Sequence, residues 1–318
     1  MENAGVTASP IVGGESSDAS QDEVVLIIHH AVGSEVDQVC SGTLLAPNLV
    51  LTARHCVASA DSTSQCSSTG TSLTGGQVHG DYDPSELHVF AGATRPTNTS
   101  LAGLTEQGAE IVDDGSTVIC NRDIAFIVLA TPVPNAKIAP IRLDTATAAN
   151  EEVTIVGWGI TDETGKIPVT RQQRTGVSVL EVGPAEGLGS SELVVGEGPC
   201  GGDSGGPVLA ASGAVIGSLS RGGNGSTEGG VASCIGGTSI YTEVAGFKDL
   251  ALSAYSKAGA SPWLESQPNP QGSTAAPVMN QSSGCATQPE TGSGAGAAAI
   301  GAVLGLALVR ARRRARAR

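Results

Sequence analysis

Residues 199–208, Pro-Cys-Gly-Gly-Asp-Ser-Gly-Gly-Pro-Val, contain the residue types that nucleophilic catalysis needs. Glycines let backbone N–H groups turn toward one point at little steric cost, and a serine hydroxyl held there can attack a carbonyl carbon. The N–H groups of Gly202 and Ser204 would then bind the oxyanion that forms. A Gly-rich surface turn is the alternative interpretation. A phosphate-binding loop is disfavoured because no Gly-Lys-Ser/Thr follows the glycines.

A serine nucleophile needs a base and an acid that orients the base, and the chain offers a candidate for each. His55 follows an apolar strand, residues 49–53, that runs directly into Arg-His-Cys. Asp123 stands at the entrance of the apolar run 124–129, where a carboxylate without a partner would be costly. We therefore expect His55 and Asp123 to meet Ser204 in the folded chain.

The segments that must position these side chains are short apolar or alternating runs, a pattern that predicts β-strands. The runs are residues 24–30, 40–45, 49–53, 87–90, 124–129, 153–159, 193–195, 214–220 and 238–244. Residues 59–76 are rich in Ser, Thr and Gly and are expected to form a long loop. Residues 247–257 form the one convincing amphipathic helix pattern. The sequence predicts an all-β domain.

The composition agrees with this fold class and limits the partners. The 318 residues include 44 glycines and only 3% aromatic residues, which suits a β-protein with many turns better than a helical bundle. The net charge is −14, and six of the 17 basic residues lie in the last nine positions, so the remainder is more acidic still. Nucleic acid is therefore excluded as a partner. The acidic cluster Asp81, Asp83 and Glu86 is expected to be a solvated turn because its spacing fits no strong calcium motif, and a calcium loop is the alternative. The serine chemistry itself needs no metal or other cofactor.

The cysteines indicate an oxidising compartment. Seven are present, none in a C-x-x-C pair, with six in the body of the chain and Cys285 alone near the end. An even set within the body suggests three disulfides and export from the cytoplasm. Residues 1–6 have neither the basic start nor the apolar core of a signal peptide. An export signal is thus expected either upstream of the recorded start or already removed.

The end of the chain changes composition twice. Residues 259–293 are rich in Pro, Ser, Gly and Gln and are expected to form a disordered stalk. Residues 294–318 comprise sixteen small or apolar residues and then the arginines. A helix of that apolar length spans roughly 24 Å, short of a hydrocarbon core of about 30 Å. A thin bilayer, snorkelling arginines or a temporary sorting signal would reconcile the lengths, and a stray hydrophobic tail is the alternative.

Five motifs, in order, resemble those of the trypsin/chymotrypsin-like serine endopeptidases. They are Ile-Val-Gly-Gly at 11–14, Leu-Thr-Ala-Arg-His-Cys at 51–56, Asn-Arg-Asp-Ile-Ala at 121–125, Gly-Trp-Gly at 157–159 and Gly-Gly-Asp-Ser-Gly-Gly-Pro at 201–207. The resemblance covers residues 11–258, after a leader of residues 1–10. It implies two packed six-stranded antiparallel β-barrels with a C-terminal helix and a catalytic cleft between the barrels. The expected protein acts as a monomer on protein or peptide substrates.

The resemblance also implies a role for each matching residue. Ser204 would be the nucleophile, His55 the general base and then acid, and Asp123 the group that orients the imidazole. The N–H groups of Gly202 and Ser204 would form the oxyanion hole, and Ser220 would support Asp123. The implied disulfides are Cys40–Cys56 and Cys200–Cys234, which leaves Cys66–Cys120 as the remaining body pair. A homologue that binds partners without catalysis is the alternative function, disfavoured because all three catalytic residues are present.

Activation and specificity follow from the same resemblance. Cleavage after Pro10 would free the Ile11 ammonium to pair with Asp203, so a precursor is expected. Since the family usually has Arg or Lys where Pro10 stands, the maturing protease would not be trypsin-like.

The substrate pocket would be formed by Gly198, Ser220, Arg221, Gly222 and Ser239. With no charge expected at its base, cleavage after uncharged small or medium apolar residues is predicted. Arg221 replaces an aromatic residue of the family and offers an alternative, selection of an acidic side chain.

The end of the chain resembles C-terminal sorting tails of the myxobacterial type. Ser-Ser-Gly-Cys at 282–285 is followed by the short apolar segment and the arginines. The resemblance implies processing or lipid attachment near Cys285, contact with a membrane or sorting machinery, and a bacterial protein that is secreted or anchored at the cell surface. An unpaired thiol in a disordered stalk is the alternative for Cys285.

Overall fold

A computed structural model describes residues 11–33, 37–95, 105–160, 168–226 and 230–271 of the chain. Within these ranges the strands are β1 (Glu15–Ser16), β2 (Val24–His29), β3 (Gln38–Ala46), β4 (Leu49–Thr52), β5 (Ala58–Ala60), β6 (Ser64–Cys66), β7 (Ser72–Gly75), β8 (Val78–Asp81), β9 (Leu87–Phe90), β10 (Glu106–Val112), β11 (Ala125–Leu129), β12 (Glu152–Gly157), β13 (Gln172–Val182), β14 (Glu192–Val195), β15 (Pro207–Ala210), β16 (Val215–Gly223) and β17 (Thr238–Glu243). The described helices are the 3-10 helices Ala19–Gln21, Arg54–Cys56, Pro84–Glu86, Gly230–Ser233 and Val244–Phe247, and the α-helix α1 (Lys248–Lys257).

The first barrel is a closed antiparallel sheet in the order β10-β11-β4-β3-β2-β9. Its strands explain why the sequence shows continuous apolar runs rather than alternation. In β2, Val25 and Ile27 fill the barrel interior, whereas Leu26 and Ile28 face outward and pack near Trp158. Both faces of the strand are therefore buried, and each position favours an apolar residue.

The second barrel follows the order β13-β12-β15-β16-β17-β14 and closes through pairing of β13 with β14. Strand β1 adds to its edge by pairing with β13. Its interior is formed by inward-facing residues of these strands, among them Ile155, Val179, Leu193 and Tyr241. The expectation of two six-stranded antiparallel barrels is confirmed.

The two barrels and the C-terminal helix share one apolar core. Phe126 and Val128 of the first barrel, Leu209 of the second and Tyr255 of α1 belong to the same buried cluster. The predicted helix is confirmed, with α1 preceded by the 3-10 turn Val244–Phe247. Because this core spans both barrels, it fixes the cleft between them.

The long loop expected at residues 59–76 is wrong in part, since it contains a β-hairpin. Strands β6 and β7 pair antiparallel, and the turn between them closes with hydrogen bonds from Ser67 N–H to Thr71 and from Gly70 N–H to Ser67. A disulfide joins Cys66 to Cys120. The Ser, Thr and Gly composition did not predict this hairpin, which the Cys66–Cys120 disulfide holds in place.

The stalk was expected to begin at residue 259, but the described chain stays packed on the body to residue 271. We call residues 260–271 the C-terminal strap. The Ile141 N–H donates to the Trp263 carbonyl at 2.9 Å, and Arg142 donates to both carboxylate oxygens of Glu265 at 2.5 and 2.8 Å. The polar composition of this segment did not predict the Arg142–Glu265 ion pair that attaches it to the body.

Residues 1–10 and 272–318 lie outside the described ranges. The predicted leader, the remainder of the stalk, Cys285 and the apolar segment 294–309 therefore receive no structural description. Among the helices that are described, none has the length and apolar character to cross a membrane.

Candidate active site

Three loops at the ends of barrel strands bring the predicted catalytic side chains to one cleft. His55 lies in the 3-10 helix Arg54–Cys56 directly after β4, and Asp123 lies two residues before β11. Both belong to the first barrel, whereas Ser204 precedes β15 of the second. His55 and Ser204 line the same cavity, of about 930 Å³. The cleft is thus assembled from both barrels.

The His55 ring is fixed by Asp123. Nδ1 lies 2.8 Å from Asp123 Oδ2, and the His55 backbone N–H donates to Oδ1 at 3.0 Å. The Ser220 hydroxyl donates to Oδ2 at 2.7 Å, and Asp123 is fully buried. An ionised carboxylate only accepts, so Nδ1 carries the proton and Nε2 is left as the basic nitrogen.

The electrostatics of this pair favour the roles of base and orienting acid. Burial lowers the pKa of His55, but the charge and hydrogen bond of Asp123 outweigh burial, so the pKa lies above its usual 6.5. Burial raises the pKa of Asp123, but His55 and the hydrogen bonds from Ser220 and the backbone keep it below its usual value. Asp123 therefore stays ionised when His55 takes up a proton.

The serine loop presents two backbone donors. The Asp203 N–H donates to the Cys200 carbonyl at 3.0 Å, but neither the Gly202 N–H nor the Ser204 N–H donates to any described residue. Gly202 has φ +95°, and a Cβ there would stand 3.1 Å from the Gly159 Cα, so the turn requires glycine. The Gly202 and Ser204 N–H groups, on either side of Asp203, are thus available as hydrogen-bond donors, and two such donors suit the binding of an oxyanion.

The Asp203 carboxylate is buried beneath this loop. Its oxygens accept from the Gly159 N–H at 2.7 Å and the Cys200 N–H at 2.9 Å. A Cβ at Gly157 or Gly159 would collide with the carboxylate, which explains the Gly-Trp-Gly motif. Burial raises the pKa of Asp203 to about 7 despite both hydrogen bonds. No described cationic side chain forms an ion pair with it.

Ile11 occupies the second barrel, and its side chain is 1% exposed. The Val12 N–H donates to the Gly198 carbonyl at 2.8 Å, which fixes the segment at the base of the serine loop. Ile11 has φ +39°, a conformation that is strained for a β-branched residue.

The predicted pocket residues do not all reach the cleft. Ser220, Arg221, Gly222 and Ser239 line it. Gly198 is not among the lining residues, because it packs beneath the loop against Ile155 and Ile11. In Gly222, a Cβ would stand 2.9 Å from the Ser239 hydroxyl, so this wall is tightly packed.

All three predicted disulfides form in the structure, namely Cys40–Cys56, Cys66–Cys120 and Cys200–Cys234. The first covalently holds the turn that carries His55. Among the described residues, the one cluster with metal-ligand geometry is Cys40, His55 and Cys56. Since both of its cysteines are joined in a disulfide, it has no thiolate to offer a metal.

Sequence reasoning missed Glu192 and the environment of Arg54. Glu192 is a fully buried carboxylate that pairs with Arg221. Arg54 is buried beside His55 and pairs with Asp81 and, at 3.5 Å, with Asp113. In the sequence, Glu192 and Arg54 are charged residues next to apolar runs. This pattern predicts that each has an oppositely charged partner, but it does not identify the partner.

Two closed barrels with a histidine, aspartate and serine at their shared cleft define a serine endopeptidase of the two-barrel class. The family model described as Trypsin matches residues 11–251, and the chain belongs to this family.

Similar proteins agree with this assignment. A trypsin of Saccharopolyspora erythraea is 26% identical, over 63% of this chain and 81% of its own. A trypsin-like protease of Streptomyces glaucescens is 28% identical, over 77% and 82% of the two chains. The structure of human heparin binding protein is similar in fold, with a TM-score of 0.56, 19% identity, and coverage of 79% of this chain and 100% of its own.

Proposed function

We propose that this chain hydrolyses peptide bonds in proteins through a Ser204–His55–Asp123 triad and an acyl-enzyme. The observation that carries the proposal is the 2.8 Å contact between His55 Nδ1 and buried Asp123, in a cleft that Ser204 also lines. The contact leaves His55 Nε2 basic and directed by the carboxylate, as a general base requires.

The reaction then proceeds in two halves. Ser204 Oγ attacks the scissile carbonyl carbon while its proton passes to His55 Nε2, and the Gly202 and Ser204 N–H groups bind the oxyanion. The carbon–nitrogen bond breaks as imidazolium protonates the leaving amine. Water, deprotonated by His55, hydrolyses the acyl-enzyme and restores the Ser204 hydroxyl. Asp123 stays ionised throughout.

The substrate preference we propose is for uncharged small or medium apolar side chains before the scissile bond. Pro199, Gly201, Leu219, Gly222, Ser239 and Ile240 of the cavity lining are uncharged, and Arg221, which also lines the cavity, is paired with buried Glu192. A charged substrate side chain would be desolvated against this wall without an opposite charge. Preferred cleavage after Arg or Lys would contradict this part of the proposal.

Activation by proteolysis is the second part of the proposal. Cleavage after Pro10 releases the Ile11 ammonium, which pairs with Asp203 and orders the serine loop. Three features support this step: buried Asp203 with its raised pKa, the strained Ile11 backbone, and the bond that holds Val12 to Gly198. Pro10 at the cleavage point implies a maturing protease that does not require a basic residue.

The three disulfides of a trypsin-family fold fit an extracellular protein. We further propose that the tail with Cys285 and the apolar segment anchors the enzyme at the cell surface or directs its release. Fractionation of producing cells tests this: Cys285→Ser should move the protein to the medium if the tail anchors it, and should retain it with the cells if the tail directs release. An unchanged distribution would contradict it.

The catalytic proposal is tested by hydrolysis of a peptide library, with three proteins compared. They are the chain that begins at Ile11, the chain with residues 1–10, and the Ser204→Ala variant of the first. We expect cleavage by the first, little by the second and none by the third. Equal cleavage by the first two would discard the precursor. No cleavage by any folded form would favour a catalytically silent homologue.

A further inference from the structure

Arg221 and Glu192 form a charged pair at the substrate cleft. Arg221 lies in β16 and lines the cavity with His55 and Ser204, and its side chain is 14% exposed. Glu192 begins β14 and is fully buried. Arg221 Nη1 donates to Glu192 Oε1 at 2.5 Å, and Nη2 donates to Oε2 at 3.0 Å. Two parallel bonds of this kind fix both the position and the plane of the guanidinium.

The Glu192 carboxylate is itself held in place by the backbone. Its Oε1 accepts from the Asn121 N–H at 2.9 Å, and its Oε2 accepts from the Gly189 N–H at 2.7 Å. Each oxygen therefore has two donors, one from Arg221 and one from the main chain. Because the carboxylate is buried and fully bonded, it cannot turn away to release the arginine.

This arrangement changes what Arg221 offers to a substrate. A lone guanidinium lining a cleft attracts carboxylates, but a paired one has its charge cancelled and two of its donors occupied. Arg221 also donates to the Gly187 carbonyl at 3.2 Å and to the Ser220 hydroxyl at 3.4 Å. The Nη1 and Nη2 donors of Arg221 are therefore directed into the protein.

We propose that Glu192 is a specificity-determining residue, which keeps the cleft beside residues 220–222 neutral by pairing with Arg221. The inference rests on the proposed peptidase function and adds to it. Acidic substrate side chains are then not selected, and the selection of acidic residues that Arg221 alone would suggest does not occur.

Two single variants and their combination test the charge balance. Glu192→Gln keeps the size of the side chain but leaves the positive charge of Arg221 unpaired at the cleft. The kcat/KM of a Glu peptide should then rise about tenfold relative to that of the matching Gln peptide. Arg221→Gln leaves one negative charge and should favour Lys over Gln by a similar factor. The double variant, neutral again, should resemble the wild type.

The readout is a set of peptides that differ only by Glu, Gln or Lys at each position around the scissile bond. In the wild type, the Glu and Gln peptides should agree within about threefold, since a paired guanidinium adds little attraction. Ratios between peptides cancel any common loss of rate that follows from the contact of Arg221 with Ser220. Binding of the same peptides to Ser204→Ala variants reports the charge preference without catalysis.

The outcomes separate this inference from the proposed function. A wild type that prefers Glu over Gln by tenfold or more would overturn it, as would folded single variants whose ratios match the wild type. If Glu192→Gln fails to fold, Arg221→Gln and the wild-type ratios still decide. If no protein cleaves, binding to Ser204→Ala proteins still decides. A preference for Glu peptides in Glu192→Gln and for Lys peptides in Arg221→Gln would mean that the proposed hydrolysis fails and the role of Glu192 stands.

Discussion

At the scale of single residues, function depends on how burial and neighbouring groups change the pKa of each carboxylate. Asp123 and Asp203 are both buried carboxylates, but three donors around Asp123 and the charge of His55 lower its pKa. Asp203 has two backbone donors and no described cation, and its pKa rises to about 7. Asp123 therefore remains charged, and Asp203 is the group that would receive a positive charge in the proposed activation.

Replacing Asp123 with Asn should lower kcat by about four orders of magnitude, because the amide no longer holds His55 in the tautomer with a basic Nε2. Since Asp123 raises the pKa of His55, wild-type kcat/KM should increase with pH through a midpoint above 6.5. In the variant, that midpoint should fall. Steady-state kinetics from pH 5 to 9 measure both, and a variant with wild-type kcat would contradict the role of Asp123.

The pH dependence of stability tests the environment of Asp203. Its folded pKa of about 7 lies above the unfolded value of 3.8, so the folded chain binds the extra proton between these values. Stability of the uncleaved chain should therefore fall as pH rises from about 4 to 7, at up to about 1.4 kcal/mol per unit. Chain cleaved before Ile11 should show a smaller fall, because the ammonium favours the carboxylate.

Urea unfolding over this pH range, with the disulfides intact, provides the measurement. Asp203→Asn in the uncleaved chain is the matched control and should remove this part of the pH dependence. Identical profiles for the cleaved and uncleaved chains would argue against an ion pair between Ile11 and Asp203.

At the scale of elements, the site depends on segments added to the two barrels. The β6–β7 hairpin is joined by Cys66–Cys120 to the loop that leads to Asp123. The C-terminal strap pairs with the segment around Ile141 and Arg142 that links the barrels. Glu265 contributes to this anchoring, since Arg142 keeps the pKa of its carboxyl below the usual value.

The strap should contribute to the stability of the protease domain. A chain ending at residue 258 should unfold with at least about 2 kcal/mol less free energy than one ending at residue 271, because it loses apolar contacts and leaves Arg142 without Glu265. Denaturant titration of both truncations measures the difference. Equal stability would mean that the strap packs without contributing.

Local motifs and long-range contacts differ in how well the sequence predicts them. His55, Asp123 and Ser204 stand in local motifs, and the apolar runs predict the individual strands, whereas the two-barrel arrangement followed only from the resemblance of the motifs to a known family. The pairing of Glu192 with Arg221 joins residues 29 positions apart, and that of Arg142 with Glu265 joins residues 123 apart. Neither pairing has a local signature, so the strap and the neutral cleft became visible only in the fold.

At the scale of the whole molecule, the two barrels act as one unit because a single apolar core joins them to α1. The first barrel supplies His55 and Asp123, and the second supplies Ser204 and the backbone donors. The proposed catalysis therefore requires that both barrels keep their relative position. A trypsin-family chain with this arrangement should react at one serine only.

The most direct test of this account is the site of reaction with a fluorophosphonate, mapped by mass spectrometry on the chain that begins at Ile11. We predict one adduct per molecule, on Ser204, that is lost in both His55→Ala and Ser204→Ala. Absence of the adduct on folded protein, or an adduct on another serine, would contradict Ser204 as the nucleophile.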